Sequence, residues 1–140
     1  MQIHASCVCR DGAGILLLGP SGCGKSDLVL RLLECGFVLV ADDRVNISGG
    51  IASAPKLLAG LLEVRGLGLM RLTYAAEARL ALAVDLATTA ERLPEPRVHP
   101  EFGIPLVSID PAAASATARV SMALSCALGI TEQVAGAFHT

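Results

Sequence analysis

The sequence has 140 residues and a mass of 14.4 kDa, the size of one domain with room for a real core. Apolar residues make up 53% of the chain, charged residues 17%, and the mean hydropathy is +0.60, which excludes a disordered composition. The net charge of −2 and the 3% aromatic content argue against a nucleic-acid surface, and no uncharged stretch reaches the roughly 18 residues of a membrane-spanning helix.

The cysteine count is odd, and no basic segment followed by an apolar one opens the chain. The five cysteines are Cys7, Cys9, Cys23, Cys35 and Cys126. These features predict a cytoplasmic protein with reduced thiols. Cys7 and Cys9 lack a second Cys/His pair that would complete a tetrahedral metal site, so we expect them in the core.

The first elements in chain order are a strand over 2–9, a glycine-containing turn and a strand over 15–18 that is buried on both faces. A helix is predicted from Lys25, with apolar residues at helical spacing and Gly36 just past its end. A second apolar strand over 37–41 ends in two aspartates.

The next segments predict a hairpin of 45–48 and 51–53 around Gly49-Gly50, followed by a loop over 62–69. Strands are then expected over 79–86 and 104–109, separated by a proline-rich surface loop over 94–100.

Asp110 and Pro111 have the residue types of a helix N-cap and first turn. The apolar face expected behind them consists of Val120, Ala123, Leu124, Ala127 and Leu128. Together the elements predict one α/β domain over 1–140, a P-loop-containing nucleotide-binding core with a mixed sheet rather than a doubly wound one.

The segment 19–26 matches the phosphate-binding pattern G-x-x-x-x-G-K-[ST] in full, between a predicted strand and a predicted helix. Its glycines let backbone N–H groups converge on an anion, and the helix N-terminus adds partial positive charge. Lys25 has the reach for the outer phosphates, and Ser26 offers a hydroxyl to Mg²⁺. We therefore predict ATP and Mg²⁺ binding by Gly19, Pro20, Ser21, Gly22, Cys23, Gly24, Lys25 and Ser26.

Asp42 and Asp43 end the strand that follows this helix. In phosphate-loop enzymes an acid at a strand end holds Mg²⁺, and a second carboxylate beside it is suited to act as a base. A solvated turn leading into the hairpin is the alternative interpretation, since aspartate is common in turns.

Glu63 and Arg65 lie in a glycine-containing string over 61–69. A carboxylate there can hold Mg²⁺ and a guanidinium can hold phosphate, although a loop with a surface ion pair explains the same pattern.

These three pieces, in this order, resemble the catalytic domain of the bacterial HPr kinase/phosphorylase family. The family pattern is H-x(14)-G-x-S-G-x-G-K-S, then A-D-D-R-V, then L-L-E-x-R-G-L-G. The matching parts are His4, the loop 19–26, the string 41–45 and the string 61–68. The resemblance is close up to about Met70 and thin beyond it, and the length resembles the compact alphaproteobacterial versions.

The resemblance implies a serine kinase that phosphorylates the phosphocarrier protein HPr in the regulation of carbon metabolism. It also implies the reverse reaction, in which inorganic phosphate attacks phosphoserine. Lys25 would contact the phosphates, and Ser26 and Glu63 would hold Mg²⁺. Asp43 would take the proton of the serine hydroxyl, with Asp42 helping to set the metal or the base.

The resemblance further implies that His4 lies beside the phosphates, and that Arg92, in the string Glu91-Arg92-Leu93, is a catalytic arginine. It implies a nucleotide-binding core like that of phosphoenolpyruvate carboxykinase, and a homo-oligomer, hexameric in the family. The basic residues that the family carries near 104–110 are not evident here, so kinase activity is better supported than phosphorylase activity.

Two alternatives remain. A small-metabolite kinase would share the phosphate loop, and Arg92 and Arg97 would then form a short lid over it. A non-catalytic ATP-binding regulatory module would need no base at Asp43.

Overall fold

The computed structural model describes residues 1–139 and contains an eight-stranded sheet, a separate two-stranded hairpin and two helices. The predicted domain boundary at residue 140 lies outside the described residues. The strands are β1 (Gln2–His4), β2 (Ser6–Arg10), β3 (Ala13–Leu18), β4 (Val38–Ala41), β5 (Arg44–Ser48), β6 (Ile51–Ser53), β7 (Leu61–Val64), β8 (Gly68–Arg71), β9 (Ala78–Asp85) and β10 (Leu106–Ser108). The helices are α1 (Lys25–Glu34) and α2 (Ala116–Ala127), and a 3₁₀ turn covers Lys56–Leu58.

The large sheet is mixed, as the sequence predicted. Its strand order is β1-β5-β6-β9-β3-β2-β4, and β10 also pairs with β9. The strands β3 and β10 run parallel to β9, whereas the other pairings in the sheet are antiparallel. The carboxyl ends of the three parallel strands therefore share one edge, where α/β proteins bind their ligands.

Both faces of the sheet carry buried residues. Side chains alternate between the two faces along each strand, so neighbouring residues pack on opposite sides. In β3, Ile15 and Leu17 pack in the core cluster that includes Leu28 of α1 and Val120 of α2. Leu16 packs in the cluster on the opposite face. This arrangement confirms the buried strand predicted over 15–18.

Helix α1 confirms the prediction closely. Leu28, Val29 and Leu32 are buried, and the helix ends at Glu34 with Cys35 as its cap. Gly36 has φ +92°, the left-handed conformation that ends many helices. The cysteines of β2 are core residues as expected, and burial raises the pKa of the Cys7 and Cys9 thiols.

The hairpin of β5 and β6 is confirmed, and Gly49 and Gly50 both have positive φ in its turn. The predicted strand over 2–9 is divided at Ala5 into β1 and β2, which have different neighbours. The strands predicted over 79–86 and 104–109 are β9 and the shorter β10.

The loop predicted over 62–69 is wrong, because this segment forms the β7–β8 hairpin, in which Glu63 pairs with Leu69. Gly66 and Gly68 have φ of +87° and +131°, so they serve the reversal of the chain rather than an irregular loop. The pair contacts α1 and forms its own small sheet.

The helix start predicted at Asp110-Pro111 is also wrong, because α2 begins at Ala116 after Ser115. The Ala112 N–H donates to Oδ1 of Asp110 at 2.9 Å, which closes a local turn instead of a helix. Val120, Ala123 and Leu124 are buried as predicted, whereas Ala127 is half-buried and Leu128 is exposed. Within residues 1–139, no helix is long and apolar enough to cross a membrane.

Candidate active site

The phosphate-loop segment 19–26 connects β3 to α1, as the sequence predicted. Gly22 and Gly24 have φ of +84° and +102°, a region that side chains rarely adopt. A Cβ atom at Gly19 would lie 2.6 Å from Cys23 Sγ, so a larger residue there would require the Cys23 side chain to move. The backbone therefore has the shape that directs N–H groups at an anion.

Lys25 is folded back onto this loop. Its Nζ donates to the carbonyl oxygens of Gly19 at 2.6 Å and of Pro20 at 3.1 Å, and the residue is only 6% exposed. An ammonium group is costly to bury without partners, and these carbonyls supply them. The positive charge is thus held at the point where the loop would surround a phosphate group.

Ser26 and Asp42 are joined across α1 and the end of β4. The Ser26 hydroxyl lies 2.9 Å from Oδ2 and 3.1 Å from Oδ1 of Asp42. Oδ1 of Asp42 also accepts a hydrogen bond of 2.6 Å from the Ser6 hydroxyl. The hydroxyl and the carboxylate together present oxygen atoms beside the phosphate loop.

Asp43 occupies a strained backbone position. Its φ is +70°, and the Arg44 N–H donates to the Asp42 carbonyl at 2.8 Å, closing a three-residue turn around Asp43. A residue other than glycine in this region costs free energy, and such residues concentrate at functional sites. The turn directs the Asp43 carboxylate away from Asp42 and toward His4.

His4 connects Asp43 to the phosphate loop. Its Nε2 lies 2.9 Å from Oδ1 of Asp43 and 3.5 Å from the Ser21 hydroxyl. The Asp43 side chain is 63% exposed and that of His4 is 32% exposed, so the carboxylate is open to an incoming substrate. A carboxylate held by an imidazole and open to solvent can accept a proton from a hydroxyl group.

The β7–β8 hairpin lines part of a cleft of about 800 Å³. Glu63, Arg65 and Leu69 of this hairpin line the cleft together with Ser26 and Asp42. The hairpin therefore adds a carboxylate and a guanidinium to the site. Since β7 begins only after Gly60, the turn at that glycine sets where Glu63 lies.

Most of the residues predicted from the sequence meet in this cleft. They are His4, Ser21, Gly22, Gly24, Lys25, Ser26, Asp42, Asp43 and Glu63. Gly19, Pro20 and Cys23 belong to the loop but do not line the cleft, and the first two contribute the carbonyls that hold Lys25.

Arg92 is not brought to the cleft. It is exposed in the irregular segment after β9 and is not among the residues that line the site. The three-residue string on which it was chosen is too short to locate a side chain in space. Arg97 is also engaged elsewhere, since its Nη2 donates to the Ser108 hydroxyl at 2.9 Å.

Ser6 was missed by sequence reasoning. It is fully buried, and its hydroxyl contacts the acidic pair from β2. The only signal in the sequence was a hydroxyl residue directly before the apolar residues Cys7, Val8 and Cys9.

The residues present fit a magnesium–nucleotide complex. Within residues 1–139, no group of three His, Cys, Asp or Glu side chains is arranged as a metal site. Magnesium in phosphoryl-transfer sites is held by one or two carboxylates together with the phosphates, so such a group is not required. Asp42, Glu63 and the Ser26 hydroxyl are oxygen donors of the required kind, and Lys25 is a cation for the phosphates.

Comparisons with known proteins point to a single family. The model of the HPr Serine kinase C-terminal domain matches residues 1–92. HPr kinase/phosphorylase of Clostridium botulinum (strain Eklund 17B) is 45% identical over 76 residues, 51% of this chain and 25% of the relative. HPr kinase/phosphorylase 1 of Oceanobacillus iheyensis is 37% identical over 110 residues, 73% of this chain and 36% of the relative. The chain thus spans between a quarter and just over a third of the length of these two relatives.

A solved structure of the HPr(Ser) kinase/phosphatase from Coxiella burnetii has the same fold. It superposes with a TM-score of 0.75, covers 93% of this chain and 92% of its own, and is 20% identical. At that identity the likeness concerns the fold. With 93% of this chain covered, it extends well beyond residues 1–92, which the family model matches.

Proposed function

The chain belongs to the HPr serine kinase C-terminal domain family, and on that premise we propose that it is an ATP-dependent protein serine kinase that phosphorylates HPr. The relatives are named kinase/phosphorylase, and we extend the proposal to phosphorolysis of phosphoserine by inorganic phosphate. Its role would be in the regulation of carbon metabolism.

One observation carries the proposal. An exposed carboxylate, Asp43, is held 2.9 Å from His4 in a cleft that also contains a complete phosphate loop. A protein that only binds nucleotide needs the loop but not a strained carboxylate directed into the cleft. A kinase needs both, because the acceptor hydroxyl must lose its proton as the phosphoryl group arrives.

Different residues of the chain bind the phosphates and hold the metal ion in the proposed phosphoryl transfer. The N–H groups of the loop and the amine of Lys25 bind and orient the phosphates. Ser26, Asp42 and Glu63 would hold Mg²⁺, which when bound neutralises charge on the phosphate oxygens. Such transfer depends on positioning and on charge stabilisation more than on covalent help from the protein.

Asp43 is the residue that would accept and return the proton of the serine hydroxyl. In the forward direction its carboxylate accepts the proton of the serine hydroxyl, and in the reverse direction it returns the proton to the serine oxygen. His4 keeps the carboxylate oriented through its contact with Oδ1. The open face of Asp43 faces solvent, which leaves room for an acceptor presented on a protein surface.

The geometry disfavours the small-metabolite kinase. A small-metabolite kinase would need an arginine lid over the phosphates. Arg92 does not line the cleft, however, and Arg97 is hydrogen-bonded to Ser108. Arg65 is the arginine that faces the cleft within the described residues, and it comes from the β7–β8 hairpin rather than from a lid.

The test is transfer of the ATP γ-phosphoryl group to HPr, compared between the wild-type protein and Asp43→Asn. We expect wild-type transfer to HPr and none to sugars, nucleosides or small carboxylic acids. Asp43→Asn should lower the rate of transfer by at least about 100-fold, the effect of losing a general base. ATP binding should be unchanged. Transfer to a small metabolite instead of HPr would favour the metabolite kinase. ATP binding without transfer to any acceptor would favour a non-catalytic module, and full transfer by Asp43→Asn would remove Asp43 as the base.

A further inference from the structure

The junction between β1 and β2 holds the acidic pair through three consecutive residues. Nε2 of His4 lies 2.9 Å from the Asp43 carboxylate, and the Ala5 N–H donates to the Asp43 carbonyl at 3.3 Å. The Ser6 hydroxyl donates to Oδ1 of Asp42 at 2.6 Å and accepts from the Asp43 N–H at 3.4 Å. Ser6 is thus the residue of the junction whose side chain contacts both aspartates.

The burial of Ser6 makes these contacts unusual. Among residues 1–139, Ser6 and Lys25 are the two polar or charged residues classed as buried, and Ser6 has no exposed surface. A buried hydroxyl is costly unless it is hydrogen-bonded, and water has no access here to replace a lost partner. Its pairing strand β3 places Leu17 opposite it, so the immediate strand neighbour offers an apolar side chain.

The two partners of Ser6 have different duties. Asp42 shares Oδ1 between Ser6 and Ser26, so the Ser6 bond fixes the rotation of the carboxylate that faces the phosphate loop. The Asp43 N–H belongs to a backbone with φ +70°, a conformation that the surroundings must support. One hydroxyl therefore restrains both the metal-side carboxylate and the strained turn that bears the base.

We propose that Ser6 is a positioning residue that orients the Asp42 carboxylate for Mg²⁺ and supports the Asp43 turn. The inference rests on the proposed function, since it assigns Asp42 to the metal. Without the Ser6 hydroxyl, Asp42 keeps only its contacts with Ser26, is less restrained in rotation, and loses part of its contribution to Mg²⁺. Partners that orient a metal ligand are worth about 10- to 100-fold in metal affinity.

The matched variants are Ser6→Thr and Ser6→Val. Threonine keeps the hydroxyl and adds one methyl group, and valine has the same shape with a second methyl group in place of the hydroxyl. The measurement is calorimetric binding of ADP by the whole protein, first across a series of Mg²⁺ concentrations and then in EDTA. Neither arm requires an acceptor protein or turnover.

We expect Ser6→Thr to keep the wild-type dependence on Mg²⁺, and Ser6→Val to need about tenfold or more Mg²⁺ for half-maximal enhancement of ADP binding. In EDTA the two variants should bind ADP equally, because Lys25 and the loop are untouched. Equal Mg²⁺ dependence of the two variants would overturn the proposal. A loss of ADP binding in EDTA confined to Ser6→Val would do the same, because the hydroxyl would then support the phosphate loop rather than the metal-side carboxylate.

Ser6→Ala tests the proposal even if the larger threonine and valine side chains prevent folding. It adds no atoms to the buried point and removes only the hydroxyl. We expect it to repeat the Mg²⁺-specific weakening, and wild-type Mg²⁺ dependence in Ser6→Ala would also overturn the proposal. If the wild-type protein binds ADP but gains nothing from Mg²⁺, the proposed metal site itself is wrong.

Discussion

The buried amine of Lys25 is held by hydrogen bonds that a phosphate group can replace. This amine is bonded to two carbonyl oxygens of its own loop, so no unpaired charge is buried. These are neutral acceptors, and phosphate oxygens carry negative charge. Hydrogen bonds between two charged groups are shorter and stronger than bonds to neutral ones, so phosphate is favoured over the resting carbonyls.

Replacement of this amine tests that view. Lys25→Met should weaken ADP binding about 10- to 100-fold, since a hydrogen bond to a charged group is worth about 1.5–3 kcal/mol. Titration calorimetry measures the change directly. Lys56 is the other lysine of the chain, is exposed and does not line the cleft. Lys56→Met is therefore the control, and an equal loss in both variants would contradict the assignment.

At the residue scale, the motifs predicted site residues that the structure brings into one cleft. Lys25, Ser26 and the Asp42-Asp43 pair lie where the pattern predicted, because loop spacing fixes local geometry. Ser6 could not be found this way, since its role comes from a contact with a residue 36 positions away. Arg92 lies outside the cleft for the complementary reason, because the local string on which it was chosen carries no information about distance from the site.

At the scale of elements, the β7–β8 hairpin brings Glu63 to the cleft. We predict that Glu63→Gln lowers the apparent Mg²⁺ affinity in ADP binding by about tenfold or more, because a neutral amide replaces a charged ligand. Binding in EDTA should be unchanged. Glu77 is exposed and lies outside the cleft, so Glu77→Gln is the matched control. Unchanged Mg²⁺ dependence in Glu63→Gln would remove this residue from the metal site.

The glycine before the hairpin gives a second prediction for this element. Gly60 has φ +75°, and a Cβ atom there would lie 2.8 Å from the Leu72 carbonyl and 2.9 Å from the Tyr74 ring. Gly103 has φ +66° but open space around it. Both alanine variants incur the conformational cost of about 1–2 kcal/mol, and only Gly60→Ala adds steric overlap, about 1–3 kcal/mol more.

Denaturant unfolding of Gly60→Ala and Gly103→Ala measures the difference. We expect the free energy of unfolding to fall further in Gly60→Ala. Equal values would mean that the hairpin shifts freely, and that Gly60 does not fix where Glu63 lies.

Element boundaries were predictable where one local signal decided them. Gly36 ends α1, and Gly49-Gly50 turns the β5–β6 hairpin, as their positive φ requires. The segment 62–69 was misjudged because its glycines signal reversal but not pairing, which depends on the register of Glu63 with Leu69. The start of α2 moved because Asp110 caps a local turn, and the Pro111 carbonyl accepts a hydrogen bond from Arg31 of α1.

For the whole molecule, the mixed character of the sheet was predictable but its order was not. Hairpin signals implied antiparallel strands, whereas the parallel pairing of β3 with β9 joins residues more than 60 positions apart. The β2–β3 and β2–β4 pairings place the phosphate loop, which follows β3, near the acidic pair, which follows β4. The site therefore forms only when these strands pair in the sheet, and the local sequence does not specify that long-range pairing.

The measurement that tests the account most directly is the intact mass of HPr after incubation with this protein, ATP and Mg²⁺. We predict a gain of one phosphoryl group on a single serine of HPr, absent with Asp43→Asn and absent when that serine is alanine. An unchanged HPr mass, with Mg²⁺-dependent nucleotide binding intact, would contradict the assignment of the cleft as an HPr kinase site.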